Sequence, residues 1–164
     1  MLPALLAAQG IVGAADTLLN HEILEKLPYR VETRGEIGLH ALRETTYACL
    51  FGGLGWFAWH GALAWAVAAL VAWEIGVTAV DEWVENRTRV LPQNERVLHI
   101  FLTLNLGLII AALVPQLLDW SARPTGLERA HHGALTWILT LFALASAAWA
   151  VRDFIAWRRL GRPA

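Results

Sequence analysis

Residues 62–80 read ALAWAVAALVAWEIGVTAV and contain one ionisable side chain, Glu74. A run of about 20 predominantly apolar residues is long enough to cross the ~30 Å hydrocarbon core of a bilayer as a helix. The composition of the chain agrees, because only 16% of its 164 residues are charged, whereas a soluble domain has about 25%. We therefore expect an all-α integral membrane protein with a single domain over residues 1–164.

The apolar tract that surrounds this stretch is too long for one membrane span. A continuous helix from Gly35 to Arg87 would be about 80 Å long at ~1.5 Å per residue, so the chain must turn back. His60-Gly61 is the best turn, and Leu91-Pro92 separates the tract from the next one. The sequence thus predicts five transmembrane helices, at about residues 3–27, 35–59, 62–89, 93–118 and 130–159.

Basic residues are distributed unequally between the two ends of these predicted helices. Two, Arg123 and Arg129, fall on one side, and eleven fall on the other: Lys26, Arg30, Arg34, Arg43, Arg87, Arg89, Arg96, Arg152, Arg158, Arg159 and Arg162. Because Lys and Arg are enriched in cytoplasmic loops, we expect an inner or plasma membrane protein with its N-terminus outside and its C-terminus in the cytoplasm. The net charge of −1 gives no attraction to nucleic acid.

Ionisable residues recur at helical spacing inside four of the five predicted helices, where such groups are costly and usually functional. Residues three and four apart share a helix face. The resulting stripes are Glu36, His40, Arg43, Glu44 and Tyr47 on the second helix, Glu74, Thr78, Asp81 and Glu85 on the third, Glu95 and His99 on the fourth, and Asp16 and Asn20 on the first, with His21 and Glu22 on adjoining faces. We expect four helices to form a bundle around a polar site on the cytoplasmic side.

The first two predicted helices and the next two resemble each other weakly. The first pair contains Asp16, Asn20, Leu27-Pro28, Glu36 and His40, and the second contains Asp81, Glu85, Leu91-Pro92, Glu95 and His99. The loops differ in length, so the pattern is equally compatible with chance and with duplication. Parallel repeats about an axis along the membrane normal can place a site between helix pairs.

The clustered carboxylates and imidazoles are typical of a dinuclear metal site. Helical bundles hold two iron or manganese ions with a Glu from each of two helices and Glu-x-x-His from each of the other two. The Glu-x-x-x-His motifs resemble that class, but one extra residue rotates a side chain by about 100°, so bridging geometry cannot be carried over. The predicted metal ligands are Glu36, His40, Glu95, His99, Asp81, Glu85, Asp16, His21 and Glu22.

Other residues are predicted to act beside the metal ions. Arg43, Glu44 and Tyr47 are catalytic candidates that would orient ligands or supply a proton, and Glu74 is predicted to lie on a proton path. Imidazole and carboxylate ligands without thiolate favour two iron ions, with manganese and zinc as alternatives. The leading hypothesis is a membrane-embedded di-iron enzyme that oxidises a lipid or other hydrophobic substrate at the cytoplasmic side.

Several alternatives stay open. Acids near helix starts are favoured by the helix dipole alone, and Asp81 and Glu85 could simply pair with Arg87 and Arg89. A zinc ion would make a hydrolase, and a line of intramembrane acids could serve a proton or cation carrier or channel.

The histidines allow two further interpretations. His40 and His99, one on each of two helices, could bind haem, or the chain could be a homo-oligomer or a structural subunit of a larger membrane complex. His60, His131 and His132 are expected to be solvated loop residues outside the membrane.

Overall fold

The computed structural model describes residues 1–161, and five long helices make up most of them. The helices are α1 (Leu2–Asp16), α2 (Arg34–Trp56), α3 (Ala62–Thr88), α4 (Gln93–Ser121) and α5 (Ala134–Leu160). α1 continues as a π-helix over Thr17–Leu24, and two short 3-10 turns, Leu27–Tyr29 and Val31–Thr33, lead into α2. The predicted number of long helices is confirmed. Arg162, one of the basic residues counted above, lies outside the described residues.

Four helical segments are long and apolar enough to cross a membrane, namely Leu2–Leu24, α3, α4 and α5. α2 has 23 residues, but it carries several charged side chains, including Arg43 and Glu44, and is not among the four. Large apolar side chains lie on the outer surface, such as Trp65 and Leu104, which are 64% and 62% exposed. Apolar surface of this extent is suited to lipid, since soluble monomers rarely expose large contiguous apolar patches.

The most extensive contact between helices joins α2 to α5. Small residues on α2 allow this approach, because a side chain at Gly38 would collide with Trp157 and one at Gly55 would press on Leu139. α2 also packs on α3, while α1 packs on α4 and α5. Close packing through small residues is common between membrane helices.

A two-stranded antiparallel sheet covers the end of the molecule opposite Arg89. β1 (Phe57–His60) pairs with β2 (Gly126–Arg129). α2 therefore ends at Trp56, three residues before the predicted boundary, because residues 57–59 are apolar but join a strand ladder. Gly61 follows β1 with φ +59°, and a Cβ there would lie 2.5 Å from the Cα of Thr125. Only glycine adopts this conformation at so close an approach.

His60 is buried, and the expectation that it would be a solvated loop residue was wrong. It is 8% exposed, and its ring centroid lies 6.3 Å from that of Trp120 on α4. The pairing of β1 with β2 holds it there. His131 is exposed as expected, whereas His132 is half-buried.

The buried face of α3 combines apolar and acidic side chains in one stripe. Its members follow each other at intervals of three and four residues: Ala64, Val67, Val71, Glu74, Val77, Asp81 and Glu85. The predicted stripe of Glu74, Asp81 and Glu85 is therefore the face that α3 turns toward its neighbours. Buried acids at these positions need partners or cations, and these partners define the candidate site.

Candidate metal centre

The π-helix that follows α1 brings three polar side chains to one face. Hydrogen bonds in a π-helix join residues five apart, so side chains four and five positions apart lie side by side. Asn20 Nδ2 donates to Asp16 Oδ1 at 2.6 Å, and His21 Nε2 lies 3.5 Å from Asp16 Oδ2. In a regular α-helix His21 would be turned about 140° away from Asp16, which explains why the sequence alone left its direction open.

Asp16, His21, Glu95 and His99 form the largest cluster of potential ligands. One ligand atom from each residue lies within 4.8 Å of those of the other three. His99 Nε2 is 3.2 Å from Asp16 Oδ2, and His21 Nε2 is 3.4 Å from Glu95 Oε1. Two ligands of one metal ion, each about 2.1 Å from it, are about 3.0–3.6 Å apart, so these separations suit a shared ion.

Glu85 stands between the histidines of α2 and α4. Its Oε1 lies 3.7 Å from His40 Nε2, and its Oε2 lies 3.6 Å from His99 Nδ1. The carboxylate is fully buried, and among residues 1–161 neither oxygen accepts a hydrogen bond. Buried carboxylates normally have hydrogen-bond partners. Arg89 Nη2 lies 3.8 Å from Glu85 Oε1, too far for a hydrogen bond, so both oxygens keep lone pairs that could bind cations, one on each side.

His21 and His40 stack face to face beside Glu85. Their ring centroids are 4.4 Å apart and the rings are inclined by 9°. The Nε2 atom of each ring is buried and has no hydrogen-bond partner within the described part of the chain. Two stacked imidazolium ions would repel each other, whereas neutral imidazoles can each offer a lone pair to a metal ion. His21, His40 and Glu85 form a second ligand cluster, and Glu82, Glu85 and His99 form a third.

Arg89, directly after α3, connects the two Glu-x-x-x-His motifs. Its guanidinium donates to Glu36 at 2.6–3.1 Å and to Glu95 at 2.5–2.8 Å, and the side chain is 3% exposed. Burial alone would lower the pKa of Arg89, but hydrogen bonds to Glu95 and Glu36 outweigh it and raise the pKa above its ordinary value. Arg89 therefore stays charged and ties the starts of α2 and α4 to the end of α3.

Arg43 forms a second, deeper link between α2 and α3. Its Nη1 donates to Asp81 Oδ2 at 2.7 Å, and its Nε lies 3.6 Å from Glu74 Oε1. Glu74 is fully buried. The hydroxyl of Tyr47, one turn farther along α2, accepts a hydrogen bond from Gln9 Nε2 at 2.9 Å. Arg43, a predicted catalytic residue, and Glu74, the predicted proton-path residue, thus share one network with Asp81 beside the ligand clusters.

The cluster holds more negative than positive charge. The guanidinium groups of Arg43 and Arg89 face six buried acids, which among the described residues of the first four helical segments are Asp16, Glu36, Glu74, Asp81, Glu85 and Glu95. If the histidines are neutral, four negative charges remain without a counter-charge. Carboxylates packed in a low dielectric repel each other unless they are protonated or neutralised by cations. Two divalent cations would supply the missing positive charge.

A cavity of ≈ 230 Å³ adjoins the histidines between α1, α2 and α5. His21 and His40 line its polar end, and Gly10, Phe51 and Phe142 line its apolar part. Glu44, the remaining catalytic candidate, also faces this cavity. A small molecule held here would lie directly beside the ligand clusters.

The structure brings together six of the nine predicted metal ligands: Asp16, His21, His40, Glu85, Glu95 and His99. Three lie outside the clusters. Glu36 is bound by Arg89, Asp81 is bound by Arg43 although it also lies 3.4 Å from His40 Nε2, and Glu22 pairs with Arg152 on α5. Each of these three has a guanidinium partner, as does Glu95, which stays within its cluster.

Two acids of the site were not selected from the sequence. Glu82 Oε1 lies 2.9 Å from His99 Nδ1, and its position three residues before Glu85 could have indicated the same helix side. Asp153 is 2% exposed and faces the cavity. It is the one acid of α5, and a lone acid in an apolar helix is a functional candidate by default.

Comparison with protein-family models, with curated proteins and with solved structures found no match for this chain.

Proposed function

We propose that the chain is a membrane-embedded dinuclear metalloenzyme, with iron as the leading metal, that oxidises a lipid or other hydrophobic substrate. The observation that carries the proposal is Glu85, a fully buried carboxylate whose two oxygens accept no hydrogen bond among the described residues and face His40 on one side and His99 on the other. A carboxylate in that position can bridge two ions, as in the four-helix carboxylate sites of soluble proteins.

Two buried histidine nitrogens without hydrogen-bond partners also support the proposal. His21 Nε2 and His40 Nε2 are buried without hydrogen bonds in the described chain, and such groups are costly unless something binds them. One ion would be held by Glu82, Glu85 and His99, and the other by His21, His40 and Glu85. Two divalent ions would also offset the four excess negative charges of the cluster.

The donor set favours iron over softer metals. Imidazole and carboxylate ligands suit iron, manganese and zinc, and thiolate is absent because Cys49 is exposed and is the single cysteine of the chain. Two iron ions would supply dioxygen activation. The chain itself would bind the ions, hold the substrate in the adjoining cavity and exclude water from it.

Glu74 and Arg43 support a proton route to the site. Glu74 is fully buried, its Oε2 has no hydrogen-bond partner within residues 1–161, and Arg43 connects it to Asp81. Intramembrane acids connected in this way are typical of proton relays. We propose that Glu74 supplies protons taken up when dioxygen is reduced to water, with two electrons from the substrate and two from an external reductant.

The proposed setting is an inner or plasma membrane with Arg89 and the metal centre toward the cytoplasm. α2 would be a fifth span, with its charged face turned inward against α3 and α5. The N-terminus and the β1–β2 sheet would lie outside, because the loops at the Arg89 end carry most of the basic residues.

Metal analysis of the purified protein tests the proposal. After anaerobic loading with Fe(II) and removal of unbound metal, we expect about two iron ions per chain and visible absorption after exposure to air. Glu85→Gln and His40→Ala should each lose metal, whereas Glu128→Gln and His131→Ala, which change exposed residues of the same types, should not.

Each result has a defined meaning when helix content is checked by circular dichroism. A folded protein that retains none of iron, manganese or zinc refutes the proposal. Stoichiometric zinc with no visible absorption would replace the oxidase by the hydrolase alternative. Equal metal loss in the matched controls would show nonspecific binding and would also refute the site.

A further inference from the structure

We infer that the cavity beside the histidines binds a single-chain amphiphile with a protonated amine head, held by Glu44 and Asp153. The inference rests on the proposed function, since it names the substrate class of that enzyme. It stands on a separate set of residues, however, because neither Glu44 nor Asp153 belongs to the ligand clusters.

The polar wall of the cavity on α2 and α5 has an excess of negative charge. Two carboxylates line it, those of Glu44 and Asp153, and the nearby guanidinium is that of Arg152, which also faces Glu22 on the π-helix. Arg152 forms an ion pair with Glu22, and its Nε lies 3.0 Å from Asp153 Oδ1. One cation therefore serves three acids.

Asp153 and Glu44 are the acids left incompletely paired. Asp153 is 2% exposed, and its Oδ1 accepts no hydrogen bond in the described chain, because the approach of Arg152 lacks hydrogen-bond geometry. Glu44 forms no hydrogen bond or ion pair in the same set of residues and faces the cavity. An ammonium group has three donors and one positive charge, which matches these two acceptors.

The other charged groups that face the cavity are already engaged. Arg43 donates to Asp81, and Asp16 accepts a hydrogen bond from Asn20 and lies 3.2 Å from His99. No free guanidinium among residues 1–161 is therefore left on this wall to receive an anionic head. The unmatched charge is negative, and a cationic head complements it.

The rest of the cavity suits a hydrocarbon chain. Gly10, Phe51 and Phe142 form apolar walls, and two exposed lining residues, Leu18 on the π-helix and Ala145 on α5, mark an opening toward the outer surface. The volume of ≈ 230 Å³ is below the usual range of about 300–1,000 Å³ for small-molecule sites. The cavity therefore accommodates the head and the first methylenes, while the remaining chain extends into the lipid.

Trp149 adds a further feature of cation recognition. It lines the cavity, and its Nε1 has no hydrogen-bond partner in the described chain. An indole face attracts an ammonium group, while its free N–H can donate to a hydroxyl next to the amine. A head that combines an amine with a neighbouring hydroxyl would use both.

Photoaffinity labelling of metal-free protein in lipid nanodiscs tests the inference. Decyl probes with a diazirine in the chain and an amine, a hydroxyl or a carboxylate as head are compared. The amine probe should label peptides of α1 and α5 that line the cavity, and free decylamine should compete. Glu44→Gln and Asp153→Asn should each lower this labelling by about tenfold, whereas the matched changes Glu128→Gln and Asp119→Asn should not.

A charge reversal keeps the test decisive if one variant folds poorly. Glu44→Lys should abolish labelling by the amine probe and increase labelling by the carboxylate probe. Equal labelling by the hydroxyl and amine probes, or labels confined to other surfaces, would overturn the inference. The assay contains no metal, so its result does not depend on iron binding. If the amine probe labels the cavity but the protein cannot bind iron, the proposed enzyme is refuted and the amine site is not.

Discussion

Replacing Arg89 by methionine should destabilise the protein more than any single change at its surface. The guanidinium makes five hydrogen bonds to two fully buried carboxylates, those of Glu36 and Glu95. Removing one partner of a buried ion pair costs about 3–5 kcal/mol, because the other charge stays buried and uncompensated. Here two carboxylates lose their partner, so we expect the upper part of that range in the free energy of unfolding.

Arg89 itself should not titrate near neutral pH. The pKa of Arg89 is raised above its ordinary value by Glu95 and Glu36, which outweigh burial. Stability from a raised pKa is fully present below the unfolded-state value and is lost only as the pH rises through the folded-state value. Between about pH 6 and 9 Arg89 is charged in both states, so its own titration should add no pH dependence to the stability of the natural protein.

Unfolding by SDS in mixed micelles, followed by circular dichroism, measures the change. Arg87→Met is the matched control, since Arg87 is exposed and stacks on Trp83 with its guanidinium carbon 3.8 Å from the ring centroid; it should cost about 0.5–1 kcal/mol. Adding Glu36→Gln and Glu95→Gln to Arg89→Met should recover part of the lost stability. An Arg89→Met variant as stable as the Arg87→Met control would refute the buried ion-pair network.

Three further predictions concern the helix, the cavity and the orientation. Inserting one alanine after Leu19, an exposed residue of the π-helix, should turn His21 away from Asp16 by about 100°, so that metal content falls while helix content is kept. Gly10→Ala should cost about 1–3 kcal/mol in unfolding free energy, because its Cβ would lie 2.7 Å from an aromatic ring of α5, whereas Gly76→Ala, with open space around it, should stabilise α3 by about 0.5–1 kcal/mol. In a variant without the native cysteine, a membrane-impermeant thiol reagent applied to intact cells should label Glu128→Cys and not Val90→Cys; the reverse pattern would contradict the proposed orientation.

Hydropathy was sufficient to predict the number of long helices, but not their ends. Long apolar runs such as residues 62–80 indicate membrane-spanning helices, because hydropathy is a local property of the sequence. The sheet was missed because residues 57–59, Phe-Ala-Trp, are as apolar as the helix before them. Their strand depends on Gly126–Arg129, about 70 residues later, and no local pattern encodes that pairing.

The sequence was sufficient to predict which site residues share a helix face, but not which side chains pair between helices. Helical spacing was sufficient to place Asp81 and Glu85 on one buried face, since a helix fixes neighbours within a turn. The position of His21 depends on a π-helix, which the spacing of apolar and polar residues does not reveal. Which acids meet Arg89 depends on how α2 and α4 pack, so the sequence could name Glu36 and Glu95 as ligands without showing that a guanidinium binds both of them.

The pairings between the two similar halves favour duplication over chance. Asp16 of the first half lies 3.2 Å from His99 of the second, and Asp81 of the second half lies 3.4 Å from His40 of the first. A two-fold axis relating the halves requires this exchange, and a chance likeness of two short motifs does not.

The symmetry fails at one position, where Asn20 of the first half corresponds to Glu85 of the second. The bridging carboxylate therefore comes from one half only, and the two ions would have different ligands: one would keep two acids and the other two stacked histidines. Replacing Asn20 by Glu should add negative charge beside Asp16 and favour a more highly charged metal in the site, which ferric against ferrous loading of Asn20→Glu and the natural protein would measure; identical loading of both proteins would contradict a metal ion near Asp16.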